Sequence, residues 1–385
     1  MINVVNKYLC CGCTACEFVC KVKAITFVKD ALGFAYPQVN KAICVNCGYC
    51  NNVCPFYNKD EKINSISDSR QRVFAVRHND SSEIATSRSG AAFIALSDSI
   101  LQKGGVIYGA AMDNNFATMH KRSENRISCK EFKGSKYTQS SIHEIIPLVI
   151  NDLKGGRIVL FSGTPCQIHC INKVVPQKLQ DNLITVDIIC HGVASPKVWD
   201  DYLHYIEKKE KKKIIQVNFR DKEIFGWSGL HKESFTFENN VKQTYHYTFY
   251  EPYLLRLSCY NCPFSNLVRH SDITIGDFWG IDKLDRAFNP NDTGCSLVIS
   301  NTAKGEKTLM NASKDITAKE FSIKDCIQPN LLYPTKEDKR RRDFEKDYTS
   351  KGFRYVYHKY GNVGIKYYSS KIKNIITRLW QRYIK

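Results

Sequence analysis

The sequence predicts an α/β protein with antiparallel additions, carried behind a small cysteine-rich module at the N-terminus. Three observations predict it. Nine of the 17 cysteines in the 385-residue chain fall within the first 54 residues. Beyond residue 70, short β-branched runs alternate with helical stretches, the pattern of a parallel sheet with crossover helices. Later β-rich runs read as antiparallel strands. At roughly 150 residues per domain, the length accommodates two or three units.

In chain order, residues 1–58 form the cysteine-rich module. Residues 59–70, which open Lys59-Asp60-Glu61-Lys62 and continue in Asn, Ser and Asp, read as a polar linker. The body spans 71–330. Within it, Arg72 to Arg77 is strand-like, 82–102 is helical, and Val106 to Met112 is a strand after the Gly104-Gly105 turn. Arg157 to Phe161 and Leu183 to Ile189 flank a helical segment as a βαβ unit. Ile214 to Phe219, Ser234 to Glu238 and Thr244 to Phe249 look antiparallel. Residues 331–385 form a basic helical region.

Cysteine usage and charge narrow the function. Seventeen cysteines in a chain that can bury a core without staples, crowded at one end, favour metal ligation over cross-linking in a reducing compartment. No spanning helix or cleaved leader is expected, so the protein is expected in the cytoplasm. The formal charge is +18, yet residues 336–385 hold 15 Lys+Arg against five Asp+Glu, and the first 60 residues contain no arginine. A basic appendage on a milder enzyme fits better than a nucleic-acid-binding surface, and no nucleic acid is expected. In the tail, Ile372, Ile375, Ile376, Leu379 and Tyr383 share one helical face amid Lys and Arg. Such a helix docks on the protein's own body, an acidic partner or a membrane surface.

The cysteines at 10, 13, 16 and 20 follow C-x2-C-x2-C-x3-C, and those at 44, 47, 50 and 54 repeat it. Three thiolates at this spacing wrap three corners of an iron–sulfur cube, and the fourth ligates the cube of the other run. The expected assignment is therefore crossed. Cys10, Cys13, Cys16 and Cys54 hold one 4Fe–4S cluster; Cys44, Cys47, Cys50 and Cys20 hold the other. A hairpin, Ala24 to Val28 and Phe34 to Val39 around Gly33, would cover them. This is the internal repeat of a bacterial two-cluster ferredoxin. Lys21 stands where proline usually follows the fourth cysteine, and Cys54-Pro55 keeps it. Cys11 reads as a spectator. Paired structural zinc sites do not explain two matching quartets.

A second constellation lies in the body. Thr164-Pro165 caps a helix after a strand and puts Cys166 in its first turn, where free N–H groups favour a thiolate. Cys190-His191-Gly192 follows the next strand, with Ser195-Pro196 opening another helix. Parallel strands bring both cysteines to one sheet edge. With the pair Cys259 and Cys262, four thiolates suffice for a third 4Fe–4S cluster; zinc or plain burial also accommodates them. Cys129, Cys170, Cys295 and Cys326 read as core residues.

Ser89-Gly90-Ala91, Gly134-Ser135-Lys136-Tyr137-Thr138-Gln139-Ser140, the Gly-Thr-Pro-Cys-Gln loop, the Cys-His-Gly-Val loop, Phe219-Arg220-Asp221-Lys222 and Gly-Asp-Phe-Trp-Gly together resemble the coenzyme F420 hydrogenase/dehydrogenase beta-subunit family. The resemblance runs from about residue 72 to 300, behind a ferredoxin domain that many members carry. It implies an oxidoreductase that binds FAD plus iron–sulfur and passes electrons between clusters and an organic or deazaflavin acceptor. Reduced ferredoxin or another redox protein is the expected partner. Ser89, Gly90, Lys136, Tyr137, Gln139 and Asp277 are the candidate flavin residues, with Trp279 beside Asp277. His191 could donate a proton, and Arg220 and Lys222 could hold an anionic substrate; no catalytic residue is assigned. No G-x-G-x-x-G follows a strand, which leaves a nicotinamide site unsupported. The alternatives are an electron-carrying subunit without its own substrate and, more distantly, a zinc-bearing nucleic-acid binder.

Overall fold

The structure, a computed structural model, describes residues 2, 6–57, 71–229, 232–245 and 251–361. The linker at 59–70, the amphipathic stretch at 372–383 and most of the run from Thr244 to Phe249 lie outside the described residues.

In the N-terminal module, β1 (Ile25–Lys29) and β2 (Ala35–Val39) pair antiparallel, Ile25 against Val39. The hairpin has two roles. Ile25, Phe27 and Val39 pack with Cys16, Cys20, Cys50 and Cys54, as a cover should. Its tip packs elsewhere: Leu32, Phe34 and Tyr36 enter the core formed by Val198, Trp199 and Tyr202 of the body. The Leu32 carbonyl accepts from the Ser195 hydroxyl at 2.6 Å and from the Lys197 amide at 3.3 Å. Gly33 makes this approach possible. Its φ is +79°, and a Cβ there would stand 3.0 Å from the Lys197 backbone nitrogen.

The body is built on β3 (Arg72–His78), β4 (Val106–Met112), β5 (Thr118–Ser123), β6 (Val159–Gly163), β7 (Leu183–Ile188), β8 (Ile214–Asn218), β9 (Ser234–Phe237), β10 (Lys242–Thr244), β11 (Ile273–Asp277), β12 (Ser296–Ser300) and β13 (Ile316–Phe321). Eight of them form one sheet in the order β13-β3-β12-β11-β7-β6-β4-β5. The centre, β4-β6-β7-β11, is parallel and both flanks are antiparallel. This is the mixed α/β arrangement that the alternation predicts. The central strands are buried on both faces, so they read as continuous runs such as Leu183-Ile184-Thr185-Val186. Strands β8, β9 and β10 make a separate antiparallel sheet.

Two readings are refined. The stretch 82–102 is two helices, Ser81–Thr86 and Ala92–Leu101, so Ser89-Gly90 lies in a break and not within a helix. Backbone crowding causes the break: a Cβ on Gly90 would stand 2.2 Å from the Val76 carbonyl oxygen, and Ala91 takes a φ of +63°. The C-terminal region is partly core, since helix Arg341–Tyr360 buries Phe344, Phe353, Val356 and Tyr360 against Tyr202 and Tyr253. No helix among the described residues is long and apolar enough to cross a membrane.

Candidate redox site

The cysteines that the sequence singles out lie in three places. In the first N-terminal run, left-handed turns at Gly12 and Thr14 coil the chain around Cys10, Cys13 and Cys16. Burial pushes the Cys16 thiol up, and neighbouring Cys13, Cys10 and Cys54 push it further. Burial likewise raises Cys54 to about 11, with Cys13 and Cys10 adding to the shift. Cys54 therefore lies near the first run. Buried sulfurs near one another become anionic only when a cation holds them.

In the second run, the Ile2 amide donates to Cys50 Sγ at 3.3 Å and the Ala24 amide to Cys20 Sγ at 3.2 Å. Cys47 is exposed, and so are Ile43, Val45 and Tyr49 around it. This site faces outward, whereas the first run faces the body.

The third place is in the body. Thr164 caps helix Pro165–Val174 in a capping box with Gln167, whose Oε1 accepts from the Thr164 amide at 3.0 Å. This fixes Cys166 in the first turn, 3.2 Å from the Thr164 hydroxyl. A contact with Cys11, then the one with Thr164, lowers its thiol against burial. Cys190 follows β7, and burial raises it well up, with Cys259, Cys166 and Cys262 adding. Gly192 lets turn Leu257–Asn261 close on this loop. At its φ of +127° a Cβ would stand 3.1 Å from the Cys259 Cβ. Burial raises Cys259 to about 12, with Cys262 and Cys166 contributing. All four cysteines open onto one cavity of about 570 Å³, and so does Cys11. Cys11 lies between Cys13 and Cys166.

Of the candidate flavin residues, Ser89, Lys136, Tyr137, Gln139 and Asp277 line this cavity, and Gly90 does not. Their polar groups already have protein partners. Ser89 Oγ donates to the Cys295 carbonyl at 2.6 Å. Lys136 Nζ donates to the carbonyls of Glu131 and Lys133, and burial lowers its pKa to about 7. Gln139 accepts from Arg256 at 2.8 Å and donates to the Cys11 carbonyl at 2.9 Å. Asp277 accepts from Arg220 at 2.7 Å and from the Trp227 indole at 2.9 Å. Trp279 stacks on Trp227 at 4.9 Å and receives the Arg220 guanidinium over its ring. His191 lies 5.3 Å from the Tyr137 ring, and burial followed by Arg220 lowers its pKa to about 4. Lys222 is drawn away to the carbonyls of Ile84 and Thr293.

Three residues carry no motif and give no signal in the sequence: His120, Arg256 and Arg269. His120 stacks on Phe161 at 5.3 Å in the cavity wall, and its Nε2 pairs with the Ser162 carbonyl. Its buried Nδ1 has no partner among the described residues. Burial lowers its pKa to about 4. A base depressed in the folded state leaves the unfolded chain with the extra proton between pH 6.5 and 4, so stability rises with pH across that window and is lost as pH drops through it. The expected slope is about 1.4 kcal/mol per pH unit from this residue. Urea midpoints of His120→Phe against the parent, measured from pH 7 to pH 4, should show a shallower fall; identical slopes would contradict it.

Residues 156–325 match the family model for the C terminus of the beta subunit of coenzyme F420 hydrogenase/dehydrogenase, and residues 9–58 match the 4Fe-4S dicluster domain. No curated protein matches. A chain of the F420-reducing NiFe hydrogenase complex from Methanosarcina barkeri is 17% identical, with a TM-score of 0.45, over 74% of this chain and 91% of that one. Over residues 156–325 the chain is thus similar to the C terminus of the coenzyme F420 hydrogenase/dehydrogenase beta subunit, behind a 4Fe-4S dicluster domain at residues 9–58.

Proposed function

We propose that the chain is an oxidoreductase in which electrons pass between the two N-terminal clusters and an organic or deazaflavin acceptor, through a third 4Fe–4S cluster on Cys166, Cys190, Cys259 and Cys262 and an FAD in the cavity. One observation carries this reading: the four body cysteines, Cys11 of the N-terminal module and the candidate flavin residues other than Gly90 open onto the same cavity. Its volume falls within the roughly 300–1,000 Å³ usual for cofactor sites. FAD, when bound, supplies the switch between one-electron and hydride chemistry.

The chain's own residues supply the setting. Trp279, Tyr137 and Phe264 wall the cavity against water, and the Arg220–Asp277 pair fixes one side. His120 Nδ1 and Ser258 Oγ are among the buried polar atoms of the cavity lining left for a bound group. Neutral His191 can accept or return a proton at the sheet edge. A second recess of about 550 Å³ shares Lys133, Gly134, Ser135 and Lys136 with the first. Room for an acceptor beside the cofactor favours an enzyme over a pure carrier. The exposed apolar residues around Cys47 favour a protein partner, such as ferredoxin, at the opposite end.

The test is anaerobic purification followed by iron, sulfide and flavin analysis, with reduced ferredoxin and coenzyme F420 offered as donor and acceptor. About twelve iron atoms and one FAD per chain are expected. About eight iron atoms without flavin would reduce the protein to a dicluster carrier.

A further inference from the structure

Arg256 is 1% exposed and stands at the seam between the N-terminal module and the body. Its Nε donates to the Cys10 carbonyl at 2.7 Å, and its Nη1 to Gln139 Oε1 at 2.8 Å. Its Nη2 donates to the Ala35 carbonyl at 2.8 Å and to Cys10 Sγ at 3.5 Å. The guanidinium lies over the Tyr36 ring at 4.3 Å. No carboxylate pairs with it among the described residues. The other buried guanidinium near the body cysteines is different, because Arg269 is neutralised by Asp187 at 2.7 Å.

An arginine cannot shed its proton, and an uncompensated buried cation costs several kcal/mol. Something anionic must balance it. Besides the Tyr36 phenol, the groups in reach are sulfurs: Cys10, whose Sγ it touches, and Cys11 on one side, Cys259 on the other, with Cys166 also within its field. Cys10 belongs to the inner N-terminal quartet and Cys259 and Cys166 to the body quartet, so one positive charge faces two sites that become anionic when filled. Reducing a cube adds one negative charge with no bond made or broken. A fixed cation beside it in a low-dielectric seam favours that reduced state.

We propose that Arg256 is a shared counter-cation that raises the reduction potentials of the inner N-terminal cluster and the body cluster together, and so sets the driving force for electron transfer across the seam. The outer cluster, on Cys20, Cys44, Cys47 and Cys50, lies outside its contacts. This inference rests on the third-cluster reading above.

The experiment is an EPR-monitored redox titration of the anaerobic holoprotein, with iron counted in every sample. Arg256→Gln removes the charge. Gln139→Glu keeps the guanidinium in place and sets a carboxylate against its Nη1, which covers the case in which the first variant fails to fold. In either variant, the reduced-to-oxidised ratio of the two inner centres at fixed poise should fall about tenfold or more, equivalent to about 59 mV for a one-electron centre. The outer centre should stay put, and Arg256→Lys should keep most of the effect. Unshifted inner potentials, or three centres shifting equally, would overturn the proposal. An iron count of about eight in the parent protein would instead refute the third cluster. The inner N-terminal centre alone would then carry the test of Arg256.

Discussion

Replacing Cys262 by Ser is expected to remove about a third of the iron and sulfide, roughly four atoms of each per chain, and to leave the N-terminal clusters intact. Cys262 ends the turn Leu257–Asn261 with its thiol raised by burial and by nearby Cys166. Its loop is held separately, because Arg269 donates to the carbonyls of Phe264 and Asn266. A serine there loses the ligand without releasing the loop. Cys50→Ser is the contrast: it should remove the outer cluster and spare flavin and body cluster. Full iron in the Cys262 variant would eliminate the body cluster, and full iron in the Cys50 variant would eliminate the crossed ligand set.

The second large effect concerns stability. Asp187 on β7 is 0% exposed and pairs with Arg269, itself 1% exposed. Burial pushes the Asp187 carboxyl up, and the Arg269 guanidinium pulls it back. Asp187→Asn keeps the shape and removes the charge, leaving a buried cation with no anionic partner. The expected loss is about 3–5 kcal/mol. Arg269 also donates to the Ile188 carbonyl and to Thr274 Oγ1, so the loop bearing Cys262 should loosen with it. Denaturant unfolding of the cofactor-depleted protein checks the first effect, and the iron-loss rate on mild warming checks the second. A change below about 1 kcal/mol would show that the pair contributes only as a surface one does.

What the sequence discloses and what it hides follow from the range of the interactions. The cysteine quartets are legible because a cube imposes a spacing on neighbouring ligands. Cys166 and Cys190 are legible because strand ends and N-caps announce themselves as Thr164-Pro165 and Ser195-Pro196. The break at Ser89-Gly90 is not, since it is imposed by Val76 and Ser296, the latter far off in the chain. Lys136 reads as a candidate flavin residue but folds back onto two local carbonyls. Arg256 has no motif at all. Its meaning lies in Cys10, 246 residues away.

The seating of Leu32 and Phe34 in the core of the body has a mechanical corollary. Each such side chain is worth about 1.5–3 kcal/mol when buried, so lifting the small module away would forfeit a large part of a typical domain's stability. The module is soldered in place and does not swing like a shuttle arm. Under the proposed function, traffic between its inner centre and the rest of the molecule then has a constant path length, which moves the expected slow step to the two ends, in collision with the donor or departure of the product.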